Sequence, residues 1–231
     1  MFYYYDPTYV LILIGAIVAL YAQIKVSTTY SKWSKIPSST RMTGAQMARQ
    51  ILDGNGCGDV RIEQISGKLT DHFDPRSNVI RLSSAVYSST SVASIGVAAH
   101  EAGHAVQYAI GYAPIKLRAA IIPLTQFGSM AAMPLLILGL LLNTSTLVTI
   151  GIAAFGLSTL FQLMTLPVEL DASRRALQTI QQNGLLTADE YPMAKKTLTA
   201  AALTYVAALA TSLAQLLRLV LIFGGRDRND R

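Results

Sequence analysis

Four long apolar stretches, each nearly free of charge, dominate the hydrophobic pattern of the chain. Each approaches or exceeds the roughly 20 residues that an α-helix needs to cross a bilayer. Because lipid offers no hydrogen-bond partners to an open backbone, we expect all four stretches to be helical. The predicted spans cover residues 7–26, 119–142, 147–166 and 198–223.

The first span is predicted to be retained rather than cleaved as a secretory signal. Asp6 is the one charged residue before it, whereas a secretory signal begins with positive charge. A short uncharged turn at 143–146 separates the second and third spans, so these two are expected to form a membrane hairpin. The basic tail after Phe223 is expected to be mobile.

Two polar segments, at 27–117 and 167–196, are expected to form the soluble part of the molecule. Their periodicity predicts an amphipathic helix at 43–52 and strands at 59–65 and 79–83. A helix rich in small residues is predicted to follow at 91–110. Thr187 and Glu190 have the spacing of a capping box for the helix of the last span.

Composition and charge agree with a membrane protein. Hydrophobic residues make up 52% of the chain and charged residues 14%, whereas soluble domains are about 25% charged. The chain has a net charge of +6, but its basic residues are not interleaved with aromatic ones as in nucleic-acid-binding proteins. No nucleic-acid partner is therefore expected. Nine basic residues fall on one side of the predicted topology, which should therefore face the cytoplasm: Lys25, Lys32, Lys35, Lys116, Arg118, Arg174, Arg175, Lys195 and Lys196.

The stretch VAAHEAGHAVQ, which begins at Val97, contains two of the three histidines of the chain. Residues four apart lie on one face of a helix, so His100 and His104 can bind one metal ion. Glu101 projects at an adjacent angle and can reach a water on that metal. This H-E-x-x-H pattern is typical of zinc peptidases, in which zinc lowers the pKa of water to about 7 and the glutamate acts as general base. The alternative is a structural pair of histidines satisfied by hydrogen bonds.

A catalytic zinc site takes three protein ligands, so a third ligand is expected. The candidates are His72, which is the remaining histidine, and a carboxylate in the stretch LPVELDASRRAL. Glu169 is favoured because two spans separate it from His104, which brings both to the same side of the membrane. Asp171 then either orients a histidine ring or forms an ion pair with an arginine that follows it.

The sequence resembles the YugP-like family of bacterial membrane proteins, described as neutral zinc metallopeptidases, which implies a multi-span zinc protease. Its layout is also similar to the HtpX-like and CAAX prenyl proteases, where a membrane hairpin separates the zinc helix from a glutamate ligand. Glu169 matches that ligand, but Ser173 stands where those proteins have an aspartate, which leaves open what orients the histidines. The resemblance rests on the segments DPTYVLILIGAIVALYAQIKVSTTY, TGAQMARQIL, GKLTDHFDPRSNVIRLS, AAHEAGHAVQYA, LRAAIIPLTQFGS and LPVELDASRRAL.

In such proteases a strand edge commonly precedes the zinc helix. The stretch NVIRLS, at 78–83, is expected to be that edge and to bind an extended peptide by strand addition, or else to be a plain structural strand. Four residues remain candidates for stabilising the oxyanion: His72, Tyr87, Arg174 and Arg175.

These observations predict a mainly α-helical integral membrane protein with about four transmembrane helices and a small zincin-like α+β catalytic part. One membrane-embedded metallopeptidase domain is expected over residues 1–231. It would hold one Zn²⁺ per chain through His100, His104 and Glu169, with Glu101 as general base.

The predicted activity is endoproteolysis of a peptide or protein substrate, itself expected to be membrane-associated, by an enzyme of the bacterial plasma membrane. Membrane lipids are the other expected partners, and an oligomer is left open. One alternative is a non-enzymatic zinc-binding membrane scaffold, against which the intact Glu101 argues. The other is a transporter with a metal in its path, for which charged groups in mid-membrane would be expected.

Overall fold

The computed structural model describes residues 6–67 and 69–223, and the tail predicted to be mobile lies outside these ranges. The described residues form a mainly helical chain with one small sheet. The helices are α1 (Tyr9–Trp33), α2 (Gly44–Gly54), α3 (Ser84–Tyr87), α4 (Val92–Ala109), α5 (Ala113–Leu141), α6 (Ser145–Gln182) and α7 (Tyr191–Phe223). The strands are β1 (Arg61–Ile65), β2 (His72–Asp74) and β3 (Val79–Ser83).

Four of the described helices, α1, α5, α6 and α7, are long and apolar enough to cross a membrane, as predicted. Helix α6 continues without interruption through Pro167 to Gln182, well beyond the third apolar run. It continues because Val168, Ala172 and Ala176, spaced four apart, are fully buried along one face. Burial of this stripe stabilises the helix where the proline removes a backbone hydrogen bond.

The chain divides into two compact units. The first, here called the helical unit, comprises the residues up to Ala22, Leu117–Leu166 and the residues from Thr204 onward. The second, here called the mixed unit, comprises Gln23–Lys116 and Pro167–Leu203. The mixed unit therefore contains the sheet, α2 to α4, and the polar ends of α1, α6 and α7.

In the helical unit, α5 and α6 form the predicted hairpin and pack closely at glycines. A Cβ built at Gly151 would lie 2.9 Å from the Leu136 Cγ and 3.0 Å from the Leu136 backbone nitrogen. A Cβ at Gly139 would lie 2.7 Å from a methyl carbon of Val148. Small residues at such contacts are typical of membrane helix pairs, because they allow the backbones to approach and van der Waals contact to increase.

In the mixed unit, the predicted elements α2, β1, β3 and α4 are confirmed. The Thr43 side chain accepts a hydrogen bond from the Gln46 amide and the Gln46 side chain accepts one from the Thr43 amide, which forms a capping box at the start of α2. Met47, Ile51 and Leu52 of α2 are buried in the core. The short strand β2 was not predicted, because three residues followed by a turn carry too little periodicity to identify.

The prediction that residues 78–83 form a free strand edge is wrong, because β3 is the central strand of the sheet. Strand β1 pairs with it in parallel, and β2 pairs with it in antiparallel. Asn78, at a φ of +53°, closes a tight turn that folds β2 back onto β3. Among the described strands, the outer ones available for strand addition are thus β1 and β2.

Helix α4 lies at the centre of the mixed unit, with 14 of its 18 residues buried. Ser91 caps its first turn by accepting a hydrogen bond from the Ser94 amide. The helix packs against α2, α3, β2 and β3. The polar side chains in its second half are consequently held in a protein interior rather than in water.

The predicted capping box before α7 is confirmed. A Glu190 carboxylate oxygen accepts a hydrogen bond of 2.9 Å from the Thr187 amide, and the Thr187 hydroxyl accepts one from the Glu190 amide. Glu190 also accepts a hydrogen bond of 2.6 Å from the Ser39 amide. The same carboxylate thus ties the loop after α1 to the start of α7 within the mixed unit.

Two glycines of α6 test the close packing of the hairpin. Gly151→Ala should lower the unfolding temperature of the detergent-solubilised protein, because the new methyl group meets the α5 backbone, at a cost of about 1–3 kcal/mol. Gly156→Ala is the matched control, since a Cβ there meets nothing within 4 Å. Both changes bring the same gain in helix propensity, so equal unfolding temperatures for the two variants would refute the close contact.

Candidate metal centre

Helices α4 and α6 bring His100, His104 and Glu169 together in the mixed unit. Each offers one ligand atom, and the three atoms lie within 4.8 Å of one another, so the group could hold a metal ion. The Nε2 atoms of His100 and His104 lie 3.2 and 3.3 Å from the same Glu169 oxygen, Oε2. Glu169 is only 3% exposed, so its carboxylate is shielded from water.

The two helices meet so closely because Gly103 has no side chain. A Cβ at this position would lie 2.7 Å from the Ala172 carbonyl oxygen on α6, which is closer than real Cβ atoms approach backbone. Gly103 is one residue before His104, and Ala172 is three residues after Glu169. The close approach of the backbones therefore occurs beside the proposed ligands themselves.

Hydrogen bonds to Nδ1 hold both imidazole rings. The Nδ1 of His100 lies 3.1 Å from the Ser173 hydroxyl oxygen, and the Nδ1 of His104 lies 3.1 Å from the Gln107 side-chain oxygen. The Gln107 oxygen can only accept, so the Nδ1 of His104 donates to it. In both rings it is Nε2 that points to Glu169, as is usual when Nδ1 of a metal-binding histidine is held by a hydrogen bond. Ser173, which stands at the position where an aspartate was expected from the resemblance, is thus the hydrogen-bond partner of the His100 ring.

Gln107 was missed by the sequence analysis and is central to this arrangement. It is fully buried, and its amide nitrogen donates to the Val168 carbonyl and to Asp171, each at 2.9 Å. Those two acceptors orient the amide so that its oxygen faces the Nδ1 of His104. Its position three residues after His104, on the same helix face, is the signal that could have identified it.

Asp171 combines the two roles left open by the sequence. Its carboxylate accepts hydrogen bonds from Gln107, from Arg174 and, at 2.6 Å, from the Arg175 Nε. It forms ion pairs with both arginines and at the same time positions the amide that holds His104. Asp171 is only 4% exposed, so these partners compensate for the burial of its charge.

Glu101 lies on α4 between the two histidines and is buried. Burial raises the pKa of its carboxyl, although the neighbouring His100 and His104 act in the opposite direction. Asp71, which the sequence analysis did not single out, adds negative charge near Glu101 and raises its pKa further. Asp71 itself accepts a hydrogen bond of 2.8 Å from the Ser83 amide at the end of β3.

The four candidates for oxyanion stabilisation lie outside the three-residue cluster. His72 is exposed on β2, where its Nδ1 lies 2.8 Å from the Thr70 carbonyl oxygen. Tyr87 packs at the edge of the core, and Arg174 and Arg175 bind Asp171. The role of any of them toward an oxyanion stays a prediction.

The chain matches one family profile and one curated protein over most of its length. A family profile described as "Putative neutral zinc metallopeptidase" matches residues 8–224. The chain belongs to this family. It is also 47% identical over 212 residues to the "Putative membrane protease YugP" of Bacillus subtilis (strain 168), a match that covers 91% of this chain and 94% of that protein. No solved structure matches the chain.

The family membership confirms the resemblance drawn from the sequence, and the donor set agrees with it. Two imidazole nitrogens and one carboxylate oxygen are a set of protein ligands that catalytic zinc takes, with a further position left for water or substrate. His100, His104 and Glu169 offer this set from a buried site whose ring nitrogens are already oriented. The residues present therefore fit a zinc ion.

Substitution of Gly103 tests whether the close approach of the helices assembles the cluster. Gly103→Ala should weaken zinc binding by about tenfold or more. The new methyl group would separate α4 from α6, which moves the two histidines of α4 away from Glu169 and Ser173 of α6. Gly96→Ala on the same helix is the control, since its Cβ would meet Ala194 at an ordinary 3.7 Å. Chelator titration followed by mass spectrometry measures the zinc retained. If both variants retain zinc equally, the helix contact does not position the site.

Proposed function

We propose that this chain is an integral membrane zinc-dependent endopeptidase. The observation that supports this most is the convergence of the His100 and His104 Nε2 atoms on Glu169 in a member of a zinc metallopeptidase family. These three residues would hold one Zn²⁺ per chain. The catalytic part would be a zincin-like arrangement of segments 27–117 and 167–196 within a single metallopeptidase domain that extends over residues 1–231.

The proposed reaction is hydrolysis of a peptide bond. When bound, zinc supplies Lewis acidity that lowers the pKa of water to about 7. Glu101 accepts a proton from the attacking water at its carboxylate and later donates it to the nitrogen of the leaving amine. The oxygen of that water joins the carbonyl carbon as the C–N bond breaks, so the products are a carboxylate and an amine.

The environment of Glu101 suits a group that must both accept and release a proton. Burial raises the pKa of its carboxyl above the usual range of a glutamate, which favours proton transfer by this group. Ser173 and Gln107 meanwhile hold the imidazoles so that their Nε2 atoms stay directed to one point. The chain thus separates the residue that moves the proton from the residues that would hold the metal.

Glu101→Gln should reduce peptide hydrolysis by about 10²–10⁴-fold while zinc remains bound, because the amide keeps the size of the side chain but cannot accept the proton. The assay is cleavage of a casein-like or membrane-derived peptide in detergent, with zinc content measured in parallel. Glu63→Gln on β1 is the control, since that carboxylate is partly exposed and pairs with Arg61.

Near wild-type cleavage by the Glu101→Gln variant would show that Glu101 is not the base. A wild-type protein that binds zinc and cleaves nothing across a broad peptide library would favour the alternative function, a non-enzymatic zinc-binding membrane scaffold. That result would support the metal site and refute the proposed hydrolysis.

The proposed location is the bacterial plasma membrane, with the catalytic side in the cytoplasm. The support is the excess of lysine and arginine in the segments next to the four candidate spans. The substrate would accordingly be a peptide or protein close to the membrane surface.

Cysteine labelling in intact cells tests this orientation. An impermeant maleimide should label Ser145→Cys, the exposed first residue of α6, but should label Ser66→Cys and Gln181→Cys only after the cells are broken. The native Cys57 is 2% exposed, so its background labelling should be low. Rapid labelling of Ser66→Cys in intact cells would reverse the proposed orientation.

A further inference from the structure

A groove of 620 Å³ in the mixed unit collects four lysines from two helices. Lys25 and Lys32 come from α1, and Lys195 and Lys196 come from α7. Residues seven apart lie on one helix face, so the spacing of Lys25 and Lys32 directs both toward the groove. None of these residues belongs to the candidate metal centre.

Within the described part of the chain, the four positive charges have no acidic partner. No acidic side chain lines the groove, and none of the four lysines forms an ion pair with a carboxylate anywhere in residues 6–67 and 69–223. Two buried carboxylates of the mixed unit are engaged elsewhere: Glu190 binds Thr187 and Ser39, and Asp171 binds its arginines. Four clustered ammonium groups repel one another, so the groove favours an anionic occupant.

The groove also has an aromatic and apolar lining. The Nζ of Lys32 lies 4.5 Å from the centre of the Trp33 ring, and Ala200 and Leu203 of α7 contribute apolar surface. Thr199 adds a hydroxyl group that can donate a hydrogen bond. A ligand that fits all of these features has an anionic, hydrogen-bond-accepting head and an apolar body.

The position of the groove along its two helices indicates where such a ligand comes from. On α1 the lysines follow the apolar run that ends at Ala22, and on α7 they precede the apolar run that begins at Leu198. Lysine and tryptophan at the ends of transmembrane helices lie at the level of the lipid headgroups. The occupant at that level is a membrane lipid.

We propose that this groove binds the headgroup of an anionic phospholipid, with its phosphate among the four lysines and the start of an acyl chain against Ala200 and Leu203. Basic pockets between transmembrane helices are a recognised way of binding such headgroups. The site is independent of the proposed peptidase activity, because it uses none of the residues assigned to zinc or to proton transfer.

Trp33 is the single tryptophan of the chain, so its fluorescence reports on this groove alone. The full chain is reconstituted in vesicles of phosphatidylcholine mixed with phosphatidylglycerol, with bromine on the acyl chains of one lipid at a time. Bromine quenches tryptophan at close range. Brominated phosphatidylglycerol should quench Trp33 with a relative affinity about fivefold or more above that of brominated phosphatidylcholine.

Two charge-matched double variants separate the groove from general surface charge. Lys25→Gln with Lys196→Gln should remove the preference for phosphatidylglycerol. Lys35→Gln with Lys116→Gln should keep it, because these exposed lysines lie outside the groove. Circular dichroism and zinc content, measured for every variant, show that the fold is intact.

Three results would overturn the proposal. Equal quenching of the wild-type protein by the two lipids would show that the groove does not select an anionic headgroup. Equal loss of preference in both double variants would assign the effect to bulk charge. Abolition of the preference by excess inorganic phosphate would assign the groove to a free phosphate ion instead of a lipid.

Discussion

The backbone of α4 touches the backbone of α6 at Gly103 and Ala172, and the candidate metal site depends on that contact. His100 and Glu169 lie 69 positions apart in the chain, on two different helices. Because Gly103 has no side chain, the backbones of α4 and α6 come close enough for the histidine and glutamate side chains to reach a common point. Glu169 is buried beside this contact, with one carboxylate oxygen directed to the two histidines.

A layer of polar residues then determines how the ligands are directed. Gln107 connects His104 to Asp171, and Ser173 holds His100, so that each imidazole presents Nε2 to the cluster. Buried polar groups are costly unless they are hydrogen-bonded, and these residues satisfy one another. We expect this network to reduce the freedom of the rings before any metal arrives, which is how partners of metal ligands increase affinity.

Most of the helical architecture could be predicted from the sequence, because long apolar runs and a helical spacing of histidines are strong local signals. Glu169 could be proposed because the topology predicted from the apolar runs places it on the same side of the membrane as His104. The central position of β3 could not, since it depends on the pairing of a three-residue strand, β2, that has almost no local signal. Gln107 had one local signal, its place three residues after His104 on the same helix face, but its hydrogen bond to Asp171 depends on the tertiary structure.

The central claim is that His100, His104 and Glu169 together bind zinc. X-ray absorption at the zinc edge of the purified full-length protein tests it most directly, because it identifies the atoms around the metal. The account predicts a shell of nitrogen and oxygen at roughly 2.0–2.1 Å with the signature of two imidazoles, and a changed shell in Glu169→Ala. A sulfur ligand at roughly 2.3 Å, fewer than two imidazoles, or an unchanged spectrum in Glu169→Ala would contradict it.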